Sequence, residues 1–301
     1  MVLAPIVVFG FVRVSTLKEV IDGLKKNPLA QNSELFIYLD GARNEAEEKL
    51  TTDVLNYCKS ISGFKTINIR QSEGNKGLDP SVINGVTEIV NQYGKVIVLE
   101  DDVVPTTNFL DYMNQCLSLF EQEKDIMSIS GWGIDLKIPS DYKYDAYLFG
   151  RSSSWGWATW KDRWNSIDWV IPEWNNTGFI SKWKLRKQIN EYGGGDMYRM
   201  LKRCMEGGGM WDIRFCYNMF KLHKYSVIPI NSKTQNIGFD GLAVHCTPEK
   251  YKRYSVSPDT SGQNLFILDT SIKPDGRIIK QRLRISSARV RIITKIKNRF
   301  L

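Results

Sequence analysis

A strand-like run that leads straight into three acidic residues, positions 95–102 with the sequence KVIVLEDD, constrains this chain more than any other feature. The apolar residues at 96–99 predict a strand that is buried on both faces of a sheet. Glu100, Asp101 and Asp102 follow at the strand end, where repulsion and burial are costly unless a cation or hydrogen-bond donors compensate. Hard oxygen ligands at the carboxyl end of a parallel strand favour Mn²⁺ or Mg²⁺ shared with a phosphate group. We therefore expect a metal-assisted site for a phosphorylated ligand, with an acidic loop facing water as the alternative.

The composition is typical of a folded protein in a reducing compartment. With 301 residues, of which 42% are hydrophobic, the chain can form one large α/β domain or two small ones. The five cysteines are widely spaced and include no CxxC pair, so neither a zinc site nor a disulfide framework is indicated. The apolar residues 1–10 follow no basic stretch and are too few to span a membrane, which predicts a first strand rather than a signal peptide.

Strand-like and helix-like patterns alternate through the first 125 residues. Short apolar runs predict strands at 6–9, 35–39, 65–70 and 95–99. Apolar residues at helical spacing predict helices at 16–24, 45–61, 80–92 and 108–122. Four strand–helix repeats predict an α/β fold with a mostly parallel, doubly wound sheet.

The pattern changes beyond residue 126. A further strand is expected near 127–130, and six tryptophans crowd residues 151–174. Residues 181–206 are expected to be helical, with a break at the glycines 193–195. A second glycine triplet at 207–209 indicates either a hinge for a loop that closes over a ligand or a plain turn.

Several familiar kinds of site are missing from the sequence. It has no GxGxxG dinucleotide fingerprint, no GxxxxGK[ST] phosphate loop and no GxSxG nucleophile motif. Only two histidines occur, His223 and His245, which disfavours a histidine-based metal cluster or catalytic triad. A bound diphosphate would therefore depend mainly on a metal ion, helix ends or basic side chains.

Seven segments between residue 5 and residue 246 carry a family resemblance. In chain order they are FGFVRVSTLKEVIDGL, FIYLDG, EGNKGLDPSVINGV, EDDVVPTTNFLDYM, FGRSSSWGWATW, GMWDIRF and PINSKTQNIGFDGLAVH. By their order and spacing they resemble the N-acetylglucosaminyltransferase I-like glycosyltransferases, enzymes with the GT-A fold. The resemblance implies a bacterial member in which residues 1–125 form the nucleotide-sugar-binding half of the domain. Residues 126–270 would then form its Trp-rich acceptor and catalytic-base half.

The resemblance also implies roles for eight side chains. Metal ligation is expected from Asp102 and His245, and general-base catalysis from Asp212. Contacts with the nucleotide sugar are expected from five residues, namely Arg13, Asp40, Glu100, Asp101 and Trp211. The residues alone leave plainer roles open: a turn at Asp40, a solvated Arg13, a helix cap at Asp212, a core position for Trp211 and a structural role for His245.

Together these roles predict an inverting, metal-dependent transfer of a sugar from a UDP-linked donor, with a GlcNAc-type donor favoured, to a saccharide acceptor. One base facing one leaving group implies inversion of configuration. Ile213 stands where the relatives have a second acidic residue, which leaves the donor sugar and the acceptor open. The rival hypotheses are a sugar-phosphate nucleotidyltransferase, for which the loop at 10–13 is a poor match, and a nucleic-acid-binding protein that uses a basic tail.

All of the excess positive charge lies at the C-terminal end. The chain carries a net charge of +8, and residues 277–301 contain nine basic and no acidic residues. Apolar residues at helical spacing run through the same stretch, so residues 271–301 are expected to form a basic amphipathic tail. Such a tail favours an anionic membrane surface, with disorder and nucleic-acid binding as alternatives. We therefore expect a cytoplasmic protein at the inner face of the cell membrane, acting on a lipid-linked saccharide in surface polysaccharide synthesis.

Overall fold

The computed structural model of the chain describes residues 2–176, 178–238, 256–287 and 290. Ten strands are found in this part of the chain: β1 Ile6–Gly10, β2 Glu34–Leu39, β3 Thr66–Gln71, β4 Lys95–Glu100, β5 Val103–Pro105, β6 Ile126–Ser130, β7 Ala146–Phe149, β8 Trp157–Trp160, β9 Tyr225–Pro229 and β10 Thr234–Asn236. Eight of them form one sheet in the order β3-β2-β1-β4-β8-β6-β9-β7, and β5 pairs separately with β10. One sheet therefore runs through both of the regions that the sequence distinguishes.

The sheet is parallel in its first half and mixed in its second. Strands β3, β2, β1 and β4 are all parallel, as the strand–helix repeats predict. Strand β8 then runs antiparallel to both β4 and β6, and β7 runs antiparallel to β9. The doubly wound parallel sheet is thus confirmed for the first four strands and gives way to mixed pairing beyond β4.

Ten α-helices accompany the sheet in the described residues: α1 Val14–Lys25, α2 Glu45–Lys59, α3 Leu78–Tyr93, α4 Phe109–Leu119, α5 Lys161–Trp164, α6 Glu173–Asn176, α7 Phe179–Gly193, α8 Met197–Arg203, α9 Trp211–Lys221 and α10 Gly276–Ile285. A 3₁₀-helix at Ala30–Asn32 and a π-helical turn at Cys204–Gly208 are also present. The four helices predicted before residue 126 are all present, with ends that differ by a few residues. None of the described helices combines the length and the apolar character needed to cross a membrane.

Strand β4 is buried on both faces, as its unbroken apolar run predicts. Ile97 and Leu99 pack into one hydrophobic cluster together with residues of α1, α2 and α4. Val96 and Val98 pack into a second cluster on the opposite face with residues of α3 and α9. A left-handed Gly94, with φ 80°, ends α3 and turns the chain directly into β4. Two covered faces hold the strand rigidly and fix where its acidic end emerges.

Most of the tryptophan-rich segment lies in the core. Trp157 and Trp164 are almost fully buried and stack on each other with ring centroids 5.6 Å apart. Trp160 is also buried and donates its indole N–H to the carbonyl of Leu117. This segment therefore contributes chiefly to packing, and Trp155 is the member that also lines the cavity described below.

The beginning of the basic C-terminal segment is part of the folded body. Helix α10 starts at the Asp275 cap, whose side chain accepts a hydrogen bond from the Arg277 amide at 2.8 Å. Ile278 is fully buried in a cluster with Tyr147 and Ile228 of the sheet. The apolar side of this helix packs against the protein, so residues 276–285 of the expected amphipathic tail belong to the folded body. Most of the segment beyond 287 lies outside the described residues.

Candidate active site

A cavity of about 1480 Å³ opens at the carboxyl ends of β1, β2 and β4. Seven of the eight side chains implicated by the sequence line it: Arg13, Asp40, Glu100, Asp101, Asp102, Trp211 and Asp212. These residues come from segments up to two hundred positions apart in the sequence, and the parallel strands bring them to one edge of the sheet. The eighth, His245, lies outside the described residues.

Arg13 is the cation that faces the acidic strand end. It follows β1, and its Nη2 atom bonds both to Asp101 and, at 2.8 Å, to Oδ2 of Asp102. The three side chains are 16%, 9% and 8% exposed, so this is a largely buried cluster. Although burial opposes the charged form, the two carboxylates raise the pKa of Arg13 above its ordinary value. The second terminal nitrogen, Nη1, is buried and has no hydrogen-bond partner among the described residues.

Among the described residues, the carboxylates outnumber the cations at this point. Burial raises the pKa of Asp101 to about 6, and Asp102 adds to the effect while Arg13 opposes it. Burial, Asp102 and Asp212 together raise the pKa of Glu100 above its ordinary range. The influence of Asp212 on Glu100 places these two residues, which lie 112 positions apart, in the same electrostatic environment. The site therefore holds more negative charge than Arg13 alone balances.

Asp102 is enclosed by the segment that follows β10. Ile237 donates its amide to the Asp102 carbonyl at 2.8 Å, and Asn236 Nδ2 lies 3.4 Å from Asp102 Oδ1. Gly238 packs so closely that a Cβ atom there would lie 2.1 Å from Asp102 Oδ2. The antiparallel pairing of β5 with β10 holds this segment against the acidic strand end. Asn236 was not singled out by the sequence reasoning, because an isolated asparagine carries no signal until its neighbours in space are known.

Asp40 organises the loop that precedes α3. Its two oxygens accept backbone hydrogen bonds from Gly41, Lys76 and Gly77, and Asn75 donates from its side chain at 3.1 Å. Four donors match the number of lone-pair positions of a carboxylate. The predicted contact with a nucleotide base stays a prediction, and it would require one of these donors to give way.

Trp211 and Asp212 begin α9 at the edge of the cavity. The Trp211 amide donates to Asp79 Oδ1 at 3.0 Å, so Asp79 satisfies an amide that the first turn of the helix leaves without an internal partner. Trp211 is only 4% exposed and packs 5.0 Å from the Trp157 ring, measured between centroids. Asp212 is half-buried and lines the cavity. Trp211 thus has mainly a core position that anchors Asp212, with a small face towards the cavity.

The acidic end has donor atoms that suit a divalent cation bound through a phosphate. Within the described residues, no group of three or more histidine, cysteine or acidic side chains is arranged as a metal site. Mg²⁺ and similar ions, however, commonly use one or two carboxylates and complete their coordination with phosphate and water. Among the described residues, only Asn236 contacts Asp102 Oδ1, at 3.4 Å, which leaves this oxygen able to accept a ligand. The orphaned Nη1 of Arg13 beside it suits an anionic group.

Comparison with known sequences finds distant relatives. No protein-family model matches the chain. An alpha-1,3-mannosyl-glycoprotein 2-beta-N-acetylglucosaminyltransferase from Arabidopsis thaliana is 24% identical over 193 residues, which cover 58% of this chain and 40% of the plant enzyme. An uncharacterized MscS family protein from Helicobacter pylori is 28% identical over 123 residues, covering 40% of this chain and 19% of that protein. The chain thus spans less than half the length of either relative.

Comparison with solved structures finds proteins with a partly similar arrangement. Mannosyltransferase PcManGT from Pyrobaculum calidifontis, in complex with GDP-Man and Mn²⁺, matches 54% of this chain and 46% of its own, with 10% identity and a TM-score of 0.37. TarS from S. aureus matches 77% of this chain and 36% of its own, with 9% identity and a TM-score of 0.41. Both scores and identities are low, and the likeness carries no inference about substrate or mechanism.

Proposed function

We propose that this chain is a glycosyltransferase of the GT-A type that moves a sugar from a nucleotide-sugar donor to a saccharide hydroxyl with inversion. A UDP-linked donor, with GlcNAc favoured, agrees best with the resemblance of its sequence segments. The observation that carries the proposal is the meeting of Arg13, the acidic end of β4 and Asp212 around one cavity. The distant plant relative, a GlcNAc-transferase by name, supports the same activity.

The donor subsite lies where β1, β2 and β4 end. A nucleoside diphosphate leaving group carries negative charge that increases as the glycosidic bond breaks. A divalent ion held by Asp102 would neutralise that charge when it is bound. Arg13 holds Asp101 and Asp102 in place, and its buried Nη1 nitrogen, which has no hydrogen-bond partner among the described residues, is a donor that suits an anion. Glu100 and Asp101 have oxygens that can accept hydrogen bonds from ribose or donor-sugar hydroxyls.

Asp212 is the group that activates the acceptor. It takes the proton from the acceptor hydroxyl as that oxygen attacks the anomeric carbon. The bond between the anomeric carbon and the diphosphate oxygen breaks on the opposite side, and the nucleoside diphosphate leaves with the electron pair. The helix start at Trp211, fixed by Asp79 and by the packing of the indole, holds Asp212 at the cavity wall.

We further propose that the protein works at the inner face of the cell membrane on a lipid-linked saccharide. The basic residues at 291–301, which include Arg291, Lys295, Lys297 and Arg299, are the ones proposed to meet the anionic surface. Helix α10 precedes this region in the chain. Arg282 of this helix and the adjacent Ser286 line the cavity. Such a connection would keep the cavity near the membrane surface.

The role of Asp212 can be separated from that of the donor subsite. Asp212→Asn should lower kcat by roughly 10²-fold or more while the affinity for UDP in the presence of Mn²⁺ stays close to that of the wild type. Asp125→Asn is the matched control, because the Asp125 side chain is exposed and does not line the cavity. Wild-type turnover by Asp212→Asn, measured with a working acceptor, would remove the residue from the mechanism.

A further inference from the structure

The cavity has a second wall whose charge is opposite to that of the acidic strand end. This wall is built by α8, α10 and the segment that follows β7. Among the described residues, one carboxylate, that of Asp196, and four arginines line it: Arg151, Arg199, Arg203 and Arg282. The proposed donor site uses none of them. One cavity therefore has an acidic side and a basic side.

Two of these arginines lack an acidic partner in the described part of the chain. Arg151 is balanced by Asp196, with which it makes a 2.9 Å ion pair. No carboxylate of the described residues forms an ion pair with Arg199 or Arg203. They are four positions apart on α8 and hence on the same helix face, directed into one cavity. Their charge is available to a ligand.

The position of Lys202 shows that the basic wall is more than a general property of the helix end. Cations near a helix C-terminus are favourable on any face because they interact with the helix dipole. Lys202 supplies such a charge outside the cavity, where it pairs with Glu206 at 3.6 Å. Arg203 shares this last turn but lies on the cavity side, as does Arg199 one turn earlier.

Aromatic side chains adjoin the basic wall. The Arg282 guanidinium lies 4.9 Å from the centre of the Trp132 ring and 5.4 Å from that of Phe149. Trp132 in turn packs edge-to-face against Trp155, which lines the cavity. Apolar ring faces next to guanidinium groups suit a sugar ring that carries a charged substituent.

From these observations we propose that the acceptor subsite takes an anionic saccharide, a sugar that carries a phosphate or a carboxylate, held by Arg199 and Arg203. The proposal rests on the proposed function, because it assigns the acceptor side of that same site. Guanidinium groups bind both anions through two parallel hydrogen bonds. The acidic side, with Asp212, then receives the hydroxyl end of the acceptor, and the basic side receives its charged end. The charge asymmetry of the cavity would thus orient the acceptor with its hydroxyl towards the base.

The test measures binding of three matched probes: glucose, glucose 6-phosphate and glucuronic acid. Each is titrated calorimetrically into the wild type, Arg199→Gln/Arg203→Gln and the control Lys202→Gln, with and without saturating UDP and Mn²⁺. Occupying the donor site with UDP ensures that a phosphorylated probe reports on the second wall. The comparison of the phosphate with the carboxylate identifies which anion the wall prefers.

We expect the charged probes to bind the wild type more tightly than glucose, and the double variant to lose at least roughly tenfold in affinity for them, since charge-assisted hydrogen bonds are the ones removed. Lys202→Gln should bind like the wild type.

Equal binding of charged and neutral probes, or full retention of affinity for the charged probes by the double variant, would overturn the proposal. So would a loss of UDP affinity in the double variant, because the arginines would then serve the donor. Absence of UDP binding in the wild type contradicts the proposed function instead, and the probe titrations without UDP would still decide on the anionic subsite.

Discussion

Arg13 Nη2 lies 2.8 Å from Oδ2 of Asp102, a contact that joins two residues 89 positions apart at the ends of adjacent parallel strands. The same nitrogen also contacts Asp101, so one guanidinium group serves two neighbouring carboxylates. Because all three side chains are largely buried, we expect this cluster to contribute to the stability of the fold as well as to form the centre of the proposed donor site.

Removing Arg13 should destabilise the protein strongly. Arg13→Gln leaves Asp101 and Asp102 buried without their cation, and breaking a buried pair from one side costs about 3–5 kcal/mol. Arg43→Gln is the control, because the Arg43 side chain is 54% exposed in its pair with Glu47, and ion pairs made by exposed side chains contribute at most about 1 kcal/mol. Urea denaturation of the two variants measures the difference. Equal losses would show that the cluster at Arg13 is no more important to folding than a surface pair.

The pKa of Asp101 predicts a pH dependence of stability. Burial raises this pKa from 3.8 to about 6, so between these values the folded state retains a proton that the unfolded state releases. Stability from this group is therefore complete at low pH and is lost as pH rises towards 6. Asp101→Asn removes that loss, so the free energy of unfolding of the variant should improve relative to the wild type as pH rises, by roughly 1.4 kcal/mol for each pKa unit.

Asp259 provides a comparison of opposite sign. Burial raises its pKa, but the hydrogen bonds from Lys233, Ser261 and Asn108 together lower it further, so the net pKa lies below the ordinary value. The stabilising effect of Asp259 is hence present at neutral pH and is lost in acid. Urea denaturation of the wild type, Asp101→Asn and Asp259→Asn, repeated from acidic to neutral pH, checks both signs. A pH-independent difference between the wild type and Asp101→Asn would contradict the raised pKa.

The sequence was most informative about the first half of the fold. The apolar runs and helical spacing before residue 126 predict four strands and four helices, and all are present, because each of these elements buries a regular face. The pairing beyond β4 could not be predicted. Strand β8 lies between β4 and β6, and its antiparallel direction depends on long-range contacts that leave no local pattern.

The site was predictable in part for a similar reason. The end of a strand can be predicted from where its apolar run stops. Arg13, Asp40 and the acidic end of β4 all follow predicted strands. Asn236 and Asp79 each make one hydrogen bond to a residue that is distant in the sequence. No local sequence pattern therefore identifies them as part of the site. The arginines of α8 were hidden because a charged helix face resembles any solvated helix surface until the cavity is known.

Gly238 should be required for the geometry of Asp102. The Cβ of Gly238→Ala would lie 2.1 Å from Oδ2 and 2.7 Å from Cγ of Asp102, so the carboxylate or the adjoining segment has to move. In a site that depends on exact positioning, a misplacement of about 1 Å can lower the reaction rate by as much as about 10²-fold. We expect weakened Mn²⁺-dependent UDP binding, whereas Gly276→Ala, which meets nothing within 4 Å, should bind normally. Calorimetry on both variants makes the comparison, and normal binding by Gly238→Ala would contradict the close packing.

Two truncations separate the folded part of the C-terminal segment from the part proposed to bind membranes. Removing 276–301 deletes helix α10 and the fully buried Ile278, so it should lower the free energy of unfolding by more than removal of 291–301 does. Both truncations should reduce co-sedimentation with anionic vesicles at low salt. Equal stability of the two truncated proteins would contradict the packing of α10, and sedimentation like that of the full chain would contradict the membrane role.

The central claim is that the acidic end of β4 binds a nucleoside diphosphate through a divalent ion held by Asp102. The most direct measurement is calorimetric titration of UDP into the wild type and into Asp102→Asn, each with Mn²⁺ and with a chelator. We expect Mn²⁺ to strengthen UDP binding to the wild type and this gain to disappear in Asp102→Asn, while circular dichroism shows that the variant remains folded. If Mn²⁺ strengthens UDP binding equally in both proteins, or in neither, Asp102 does not hold an ion that binds the nucleotide.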